Sequence, residues 1–278
     1  MNLYEETRML LNQYGLRANK RLGQNFLISD EIVEQIIEKS EITENDTIIE
    51  IGPGLGTLTK ALLEKSKKVI AIELDPNMVD ILKNRFITDK LEIIYGDVLK
   101  VDLNEIIANE GSVKVVANLP YYITTPILMK LLEERYALKS ITVMVQKEVG
   151  ERICSEPGIK EYGAITVTTN YYSAPKIIID VPRENFLPSP EVDSCVMKLD
   201  VLEKPSVMVA NEKVFFELIR NGFNHRRKTI SNSLASGNVP KEKIMQVLGE
   251  LGIDEKLRAE DLSIEDYANI ANRLVGAA

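Results

Sequence analysis

Between about residue 30 and residue 200, short apolar runs alternate with stretches whose apolar residues recur at helical spacing. Seven runs, 47–51, 68–73, 91–95, 113–117, 141–146, 177–181 and 194–199, have the length and β-branched content of strands. The stretches between them, such as 57–65 and 76–86, have the length and spacing of helices. This alternation predicts a parallel sheet with helices on both faces. Residues 182–190, between the last two strands, leave no room for a long crossover helix, so the final strand is expected to run antiparallel. Beyond residue 202 the strand pattern stops. Segments 212–221, 226–235, 241–251 and 264–274 read as helices, with Asp261 or Ser263 placed to cap the last. Lys204 and Pro205 read as a linker. The expected organisation is therefore an α/β domain over 1–204 and a small all-α domain over 205–278.

Composition narrows the class. At 278 residues, 45% apolar and 27% charged, the chain can bury a core in each of two domains and has an ordinary globular balance. No apolar run approaches the roughly 20 residues that a membrane span needs, so no membrane partner is expected. The first 13 residues carry Glu5, Glu6 and Arg8 and lack the apolar core of a secretory signal. Cys154 and Cys195 lie far apart, and His225 is the single histidine. Neither a disulfide framework nor a metal site is expected, and a reducing cytoplasm is the natural setting. A monomer is expected.

The net charge of −8 argues against a nucleic-acid partner if it is taken as a whole. The charges are segregated, however. Residues 220–229 hold Arg220, Arg226, Arg227 and Lys228 and no acid; Arg17, Lys20 and Arg21 form a second acid-free group. A charge run is ordinarily a solvated helix face. The lack of acidic neighbours, and Phe223 nearby, favour phosphate binding by Arg220, Arg226, Arg227 and Lys228 instead.

Three features follow the first three strands in order. After the first comes Glu50-Ile51-Gly52-Pro53-Gly54-Leu55-Gly56, with a helix opening at Thr57. Glycines such as Gly52 and Gly54 allow a tight turn and close approach of a ligand to the backbone. The spacing is not that of a dinucleotide loop. A carboxylate at Glu50 would repel a pyrophosphate but suits the ammonium of an amino-acid moiety. Glu73 ends the second strand, where an acid accepts from ribose hydroxyls; the helix-capping alternative suits Asp75 better, because Pro76 follows it. Asp97 follows the third strand, and either accepts from an adenine amino group or binds its own turn backbone. A fourth feature, Asn118-Leu119-Pro120-Tyr121, follows the fourth strand. It combines an amide, a stiffened turn and an aromatic face, a combination suited to gripping an exocyclic amine and the ring that bears it.

These segments, with Leu22-Gly23-Gln24-Asn25-Phe26-Leu27, the run from Phe186 to Ser194 and the run from Phe223 to Thr229, resemble those of the ribosomal RNA adenine dimethyltransferases. They match the small-subunit branch most closely, through Leu119 in the Asn-x-Pro-Tyr motif and the Arg-Arg-Lys-Thr run. The resemblance spans nearly the whole chain. It implies a class I methyltransferase fold: a Rossmann-like seven-stranded sheet with the last strand antiparallel, and a helical C-terminal domain that binds RNA or the ribosome. It implies S-adenosylmethionine as methyl donor. Residues 1–30 would form an arm whose Gln24, Asn25 and Leu27 close over the donor. Gly52 would line its amino-acid end, Glu73 its ribose, and Asp97 and Val98 its adenine. Asn118, with Leu119 and Pro120, would face the reacting nitrogen. Tyr121 would stack on the target base and Phe186 would sandwich it, unless Phe186 is a core plug between the two domains; a core role is expected for Tyr122. The implied substrate is two adjacent adenosines in the 3′-terminal hairpin loop of 16S rRNA in the small (30S) subunit, each dimethylated at N6. The alternatives are a large-subunit enzyme of the macrolide-resistance type and a mainly non-catalytic assembly factor.

Overall fold

In the computed structural model, which describes residues 1–237 and 239–276, all seven apolar runs enter one sheet. The strands are β1 (Asp46–Ile51), β2 (Lys68–Glu73), β3 (Leu91–Tyr95), β4 (Ser112–Asn118), β5 (Ser140–Gln146), β6 (Ser173–Val181) and β7 (Ser194–Val201). Their order is β3-β2-β1-β4-β5-β7-β6. β1 to β5 pair in parallel, and β7 runs antiparallel to β5, as the short connection requires. β1 lies between β2 and β4, so the chain winds outward in both directions from this strand. That reversal opens a crevice at the carboxyl ends of the strands.

The helices are α1 (Leu3–Gln13), α2 (Asp30–Lys39), α3 (Thr57–Lys65), α4 (Pro76–Arg85), α5 (Leu103–Ile107), α6 (Thr124–Glu133), α7 (Lys147–Ile153), α8 (Ala164–Tyr172), α9 (Glu212–Asn224), α10 (Ile230–Leu234), α11 (Lys241–Leu251) and α12 (Ile264–Gly276). α2 shows how the sequence builds one. Ser29 accepts from the Ile32 N–H at 3.3 Å and starts the helix. Ile32, Val33, Ile36 and Ile37 then form one buried stripe against Ile48, Val69, Val116 and Met144 of the sheet. Each such side chain contributes about 1.5–3 kcal/mol on burial. Intrinsic propensity supplies only tenths per residue, so packing decides.

The chain divides into two compact units, Met1–Gly150 with Lys176–Val201, and Glu151–Pro175 with Leu202–Ala278. The segment Glu151–Pro175, expected in the first domain, belongs to the helical unit. The cause is aromatic packing: the Tyr171 ring lies 5.1 Å from that of Phe215 and 5.2 Å from that of Phe216. One of the two caps expected for the last helix is found, and one helix expectation is corrected. Ser263, not Asp261, caps α12: its Oγ accepts from the Asp266 N–H at 3.1 Å, and Asp266 accepts from the Ser263 N–H at 2.9 Å. The helix expected over 226–235 is reduced to α10, because Thr229 adopts extended backbone and starts a new helix there. Arg226, Arg227 and Lys228 therefore sit in a turn rather than on a helix face.

Among the described residues, no helix is long and apolar enough to cross a membrane, and no group of three or more His, Cys, Asp or Glu side chains is placed to hold a metal ion.

Candidate active site

The loop after β1 is held by backbone that only glycine adopts readily. Gly52, Gly54 and Gly56 have φ of +66°, +57° and +85°. At Gly56 a Cβ would also come within 2.5 Å of the Phe86 ring. At Gly52 it would meet no protein atom within 4 Å, because that backbone faces the open cleft. The loop is braced from beneath. Leu55 packs with Leu10, Phe26, Met78 and Ile81. The Arg85 guanidinium donates to the Leu55 carbonyl at 2.6 Å and pairs with Glu6 of α1.

Two buried carboxyls flank this loop. Glu50 accepts from the Thr59 hydroxyl at 2.6 Å, and burial pushes its pKa up to about 8. Glu73 receives three backbone N–H groups, from Gly54 at 3.0 Å and from Leu74 and Asp75 at 2.8 Å each. Burial still raises its pKa, against the lowering effect of those bonds. Asp75 takes the capping role expected of it: Oδ1 accepts from the Asn77 N–H of α4 at 3.0 Å. Asp97 binds its own turn, accepting from the Leu99 N–H at 3.0 Å, while its side chain remains part of the cleft wall.

Glu50 gives a pH prediction for the unliganded protein. Its folded pKa lies above its unfolded value, so between about pH 4.5 and 8 the folded state holds a proton that the unfolded state has lost. Stability therefore falls as pH rises through this window and levels off above it. Thermal melting from pH 5 to 8.5 should show a shallower decline in Glu50→Gln than in the wild type.

The arm and the Asn118 loop close the cleft on its other side. Phe26 and Leu27 pair antiparallel with Leu187 and Phe186. The Gln24 amide donates to Asp75 Oδ2 at 2.9 Å. Asn118 Nδ2 donates to the Asn25 carbonyl at 3.1 Å, which leaves Oδ1 as the atom able to accept. The Pro120 carbonyl already accepts from the Ile123 N–H and the Thr124 hydroxyl, at 3.1 and 3.2 Å. That carbonyl is thereby engaged within its own turn. The Tyr121 hydroxyl lies 2.7 Å from Ser194 Oγ on β7, a bond that fixes its ring, and burial pushes its pKa up.

All the residues expected to hold the donor line this one cleft, together with Asn118, Leu119, Pro120 and Tyr121. Phe186 does not. It is 3% exposed and packs with Leu27, Val116, Met144 and Val196 in the core of the first unit, so the sandwich expectation is corrected, and its core position lies within this unit rather than between the two. Tyr122, expected in the core, is 60% exposed at the cleft wall, because the turn Tyr121–Ile123 turns it outward against Gly23. Sequence reasoning did not find Arg85 or the supporting contacts of Thr59 and Asp75. Ser194 lay inside a matched segment, but nothing in the sequence joined it to Tyr121.

In the helical unit, Arg220, Arg227 and Lys228 are exposed. Arg226 is not free for phosphate. It donates to Glu260 at 2.7 and 3.0 Å and to the carbonyls of Lys160 and Tyr162 at 2.7 and 3.1 Å. Its expected RNA contact is corrected to an internal tie. In the other basic group Arg17 and Arg21 are exposed, and the Lys20 side chain lies outside the described residues.

The cleft fits S-adenosylmethionine by its chemistry. The donor is cationic at sulfur and nitrogen, and the cleft offers the carboxyls of Glu73 and Asp97, a Glu50 carboxyl that a bound cation would draw back to its charged form, and a glycine cradle open at Gly52. Comparison with known proteins agrees. Residues 15–275 match the model of the family described as "Ribosomal RNA adenine dimethylase". The chain is 49% identical over 267 residues to the "Ribosomal RNA small subunit methyltransferase A" of Clostridium botulinum (strain ATCC 19397 / Type A), covering 96% of this chain and 97% of that one. It is 47% identical over 270 residues to the protein of the same name from Clostridium perfringens (strain SM101 / Type A), covering 97% and 95%. Among solved structures, a dimethyladenosine transferase from Plasmodium falciparum superposes with a TM-score of 0.76 at 29% identity, covering 88% of this chain and 95% of that one. The 23S rRNA methyltransferase ErmE superposes at 0.71 with 22% identity, covering 90% and 100%, a likeness of fold.

Proposed function

The chain belongs to the ribosomal RNA adenine dimethylase family, and from that premise we propose that its cleft transfers methyl groups from S-adenosylmethionine to N6 of two adjacent adenosines near the 3′ end of 16S rRNA. The observation that carries this reading is the Asn118 amide. Its N–H is tied to the arm at Asn25, so its oxygen is left for the substrate in the cleft that holds the glycine loop, Glu50 and Glu73.

The chemistry that bound S-adenosylmethionine supplies is an electrophilic methyl carbon on a sulfonium. What the chain must do is position and polarise the amine. An adenine N6 lone pair is delocalised into the ring and is a poor nucleophile. Asn118 Oδ1 and a backbone carbonyl of the same loop accept from the two N6 hydrogens, which favours the pyramidal amine and stabilises positive charge as it develops there. Holding the amine at near-attack geometry is worth roughly 7–11 kcal/mol in favourable cases. Tyr121, with its hydroxyl on Ser194, offers a fixed ring for the base, worth about 1–3 kcal/mol. No strong base is required, because the proton leaves after nitrogen has become cationic. A monomethylated amine has one N–H, so one of the two acceptors is dispensable in the second transfer.

The enzyme acts as a metal-independent monomer in the cytoplasm, on the small ribosomal subunit. Relatives named for the small subunit at 47–49% identity favour this substrate over the large subunit. An intact cleft favours catalysis over a purely assembly role. Labelled methyl transfer should be efficient to small subunits lacking the modification and weak to large subunits and duplex DNA. Preferential labelling of large subunits or DNA overturns the assignment.

Arg220, Arg227 and Lys228 serve as phosphate contacts. Replacing all three with Gln should weaken RNA binding and flatten its logarithmic salt dependence by roughly two, at about 0.7 per lost contact. Cofactor affinity should not change. Arg226→Gln should instead lower the melting temperature, since it removes the Glu260 pair and two carbonyl bonds. An unchanged salt slope in the triple variant would remove these residues from the RNA site.

A further inference from the structure

Building on the reading that the cleft receives an RNA adenosine, we propose that Tyr122 is a second stacking platform, which holds the base next to the one at Asn118. Tyr122 is 60% exposed, whereas Tyr121 beside it has its hydroxyl on buried Ser194. Both line the same cleft. They lie in one short 3₁₀ turn, Tyr121–Ile123. At three residues per turn, consecutive side chains project about 120° apart, so the two rings cannot serve the same base. Two adjacent unpaired bases, splayed from one another, match two rings splayed in this way.

The Tyr122 ring is not a loose tether. Gly23 sits at φ +62°, and a Cβ there would lie 3.3 Å from the Pro120 side chain and 3.4 Å from Cδ1 and Cε1 of Tyr122. The ring edge is thus seated on the arm backbone while most of the residue stays in solvent. Arg21, two residues from Gly23, is exposed, and so is Arg17. Exposed cations on the arm and an exposed ring seated on that arm are the two elements by which single-stranded RNA is held, phosphate to cation and base to ring. An exposed ring at this position has no role in the core.

The test is steady-state methylation of small ribosomal subunits lacking the modification, with subunits and S-adenosylmethionine titrated separately. Tyr122→Ala should raise KM for subunits about tenfold and leave KM for S-adenosylmethionine unchanged. Tyr122→Phe, which keeps the ring, should stay within about twofold of wild type. The proposal is overturned if Tyr122→Ala matches wild type, if Phe is as impaired as Ala, or if KM for S-adenosylmethionine rises in step, which would mean that the ring acts by bracing the arm. Failure of the wild-type enzyme to methylate small subunits is a separate result, and would strike the functional assignment instead.

Discussion

Asn118→Ala should lower methyl transfer about 10²–10³-fold while S-adenosylmethionine still binds within a few-fold of wild type. The size follows from what the side chain does at the moment of reaction. A preorganised polar group aimed at developing charge is worth this much when it is removed. The same substitution also breaks the bond from Nδ2 to the Asn25 carbonyl. A neutral hydrogen bond contributes about 0.5–1.5 kcal/mol net, roughly tenfold at most. That loss would fall on the arm, and so on the apparent affinity for the donor. The two effects separate cleanly: single-turnover rates at saturating donor report the first, and equilibrium donor binding reports the second. A loss confined to donor affinity would reduce Asn118 to an arm anchor.

The second large effect is at Glu73. Glu73→Ala should weaken S-adenosylmethionine binding at least about a hundredfold and lower the melting temperature of the unliganded protein. The carboxyl holds three backbone N–H groups, among them that of Gly54 inside the cofactor loop. Bonds of this kind to a charged acceptor contribute about 1.5–3 kcal/mol each, and an amide left unpaired in a buried place adds a further cost. The loop would lose the contact that joins it to the end of β2, and the donor would lose the acceptor expected at its ribose. Calorimetric titration and thermal melting measure the two losses. A dissociation constant within threefold of wild type would remove Glu73 from the donor site.

The sheet was legible because its central strands are buried on both faces, so that runs such as 47–51 and 141–146 stand out without any tertiary information. The cleft was legible for a related reason. In a doubly wound sheet each carboxyl end delivers its loop to the same crevice, so Gly52, Glu73, Asp97 and Asn118 meet without long-range knowledge. What could not be read was the supporting chemistry between distant segments. Arg85 reaches Leu55 and Glu6, thirty and seventy-nine residues away, and Arg226 reaches Glu260, thirty-four away; a local pattern carries no trace of either. Arg226 reads as a phosphate ligand in the sequence for this reason, since its partner acid lies far along the chain. From sequence Tyr122 reads as core, and Phe186 as either a stacking or a core residue, because an aromatic residue has the same local signature in a core and at a surface. The exposure of Tyr122 depends on Gly23, and the burial of Phe186 on its pairing with Leu27.

The most direct measurement is nucleoside mass spectrometry of 16S rRNA taken from unmodified small subunits after exhaustive reaction with this protein and isotopically labelled S-adenosylmethionine. Two labelled methyl groups should appear on N6 of each of two neighbouring adenosines, and Asn118→Ala should leave both unmodified. Label on another base, on ribose, or nowhere would contradict the assignment of the cleft.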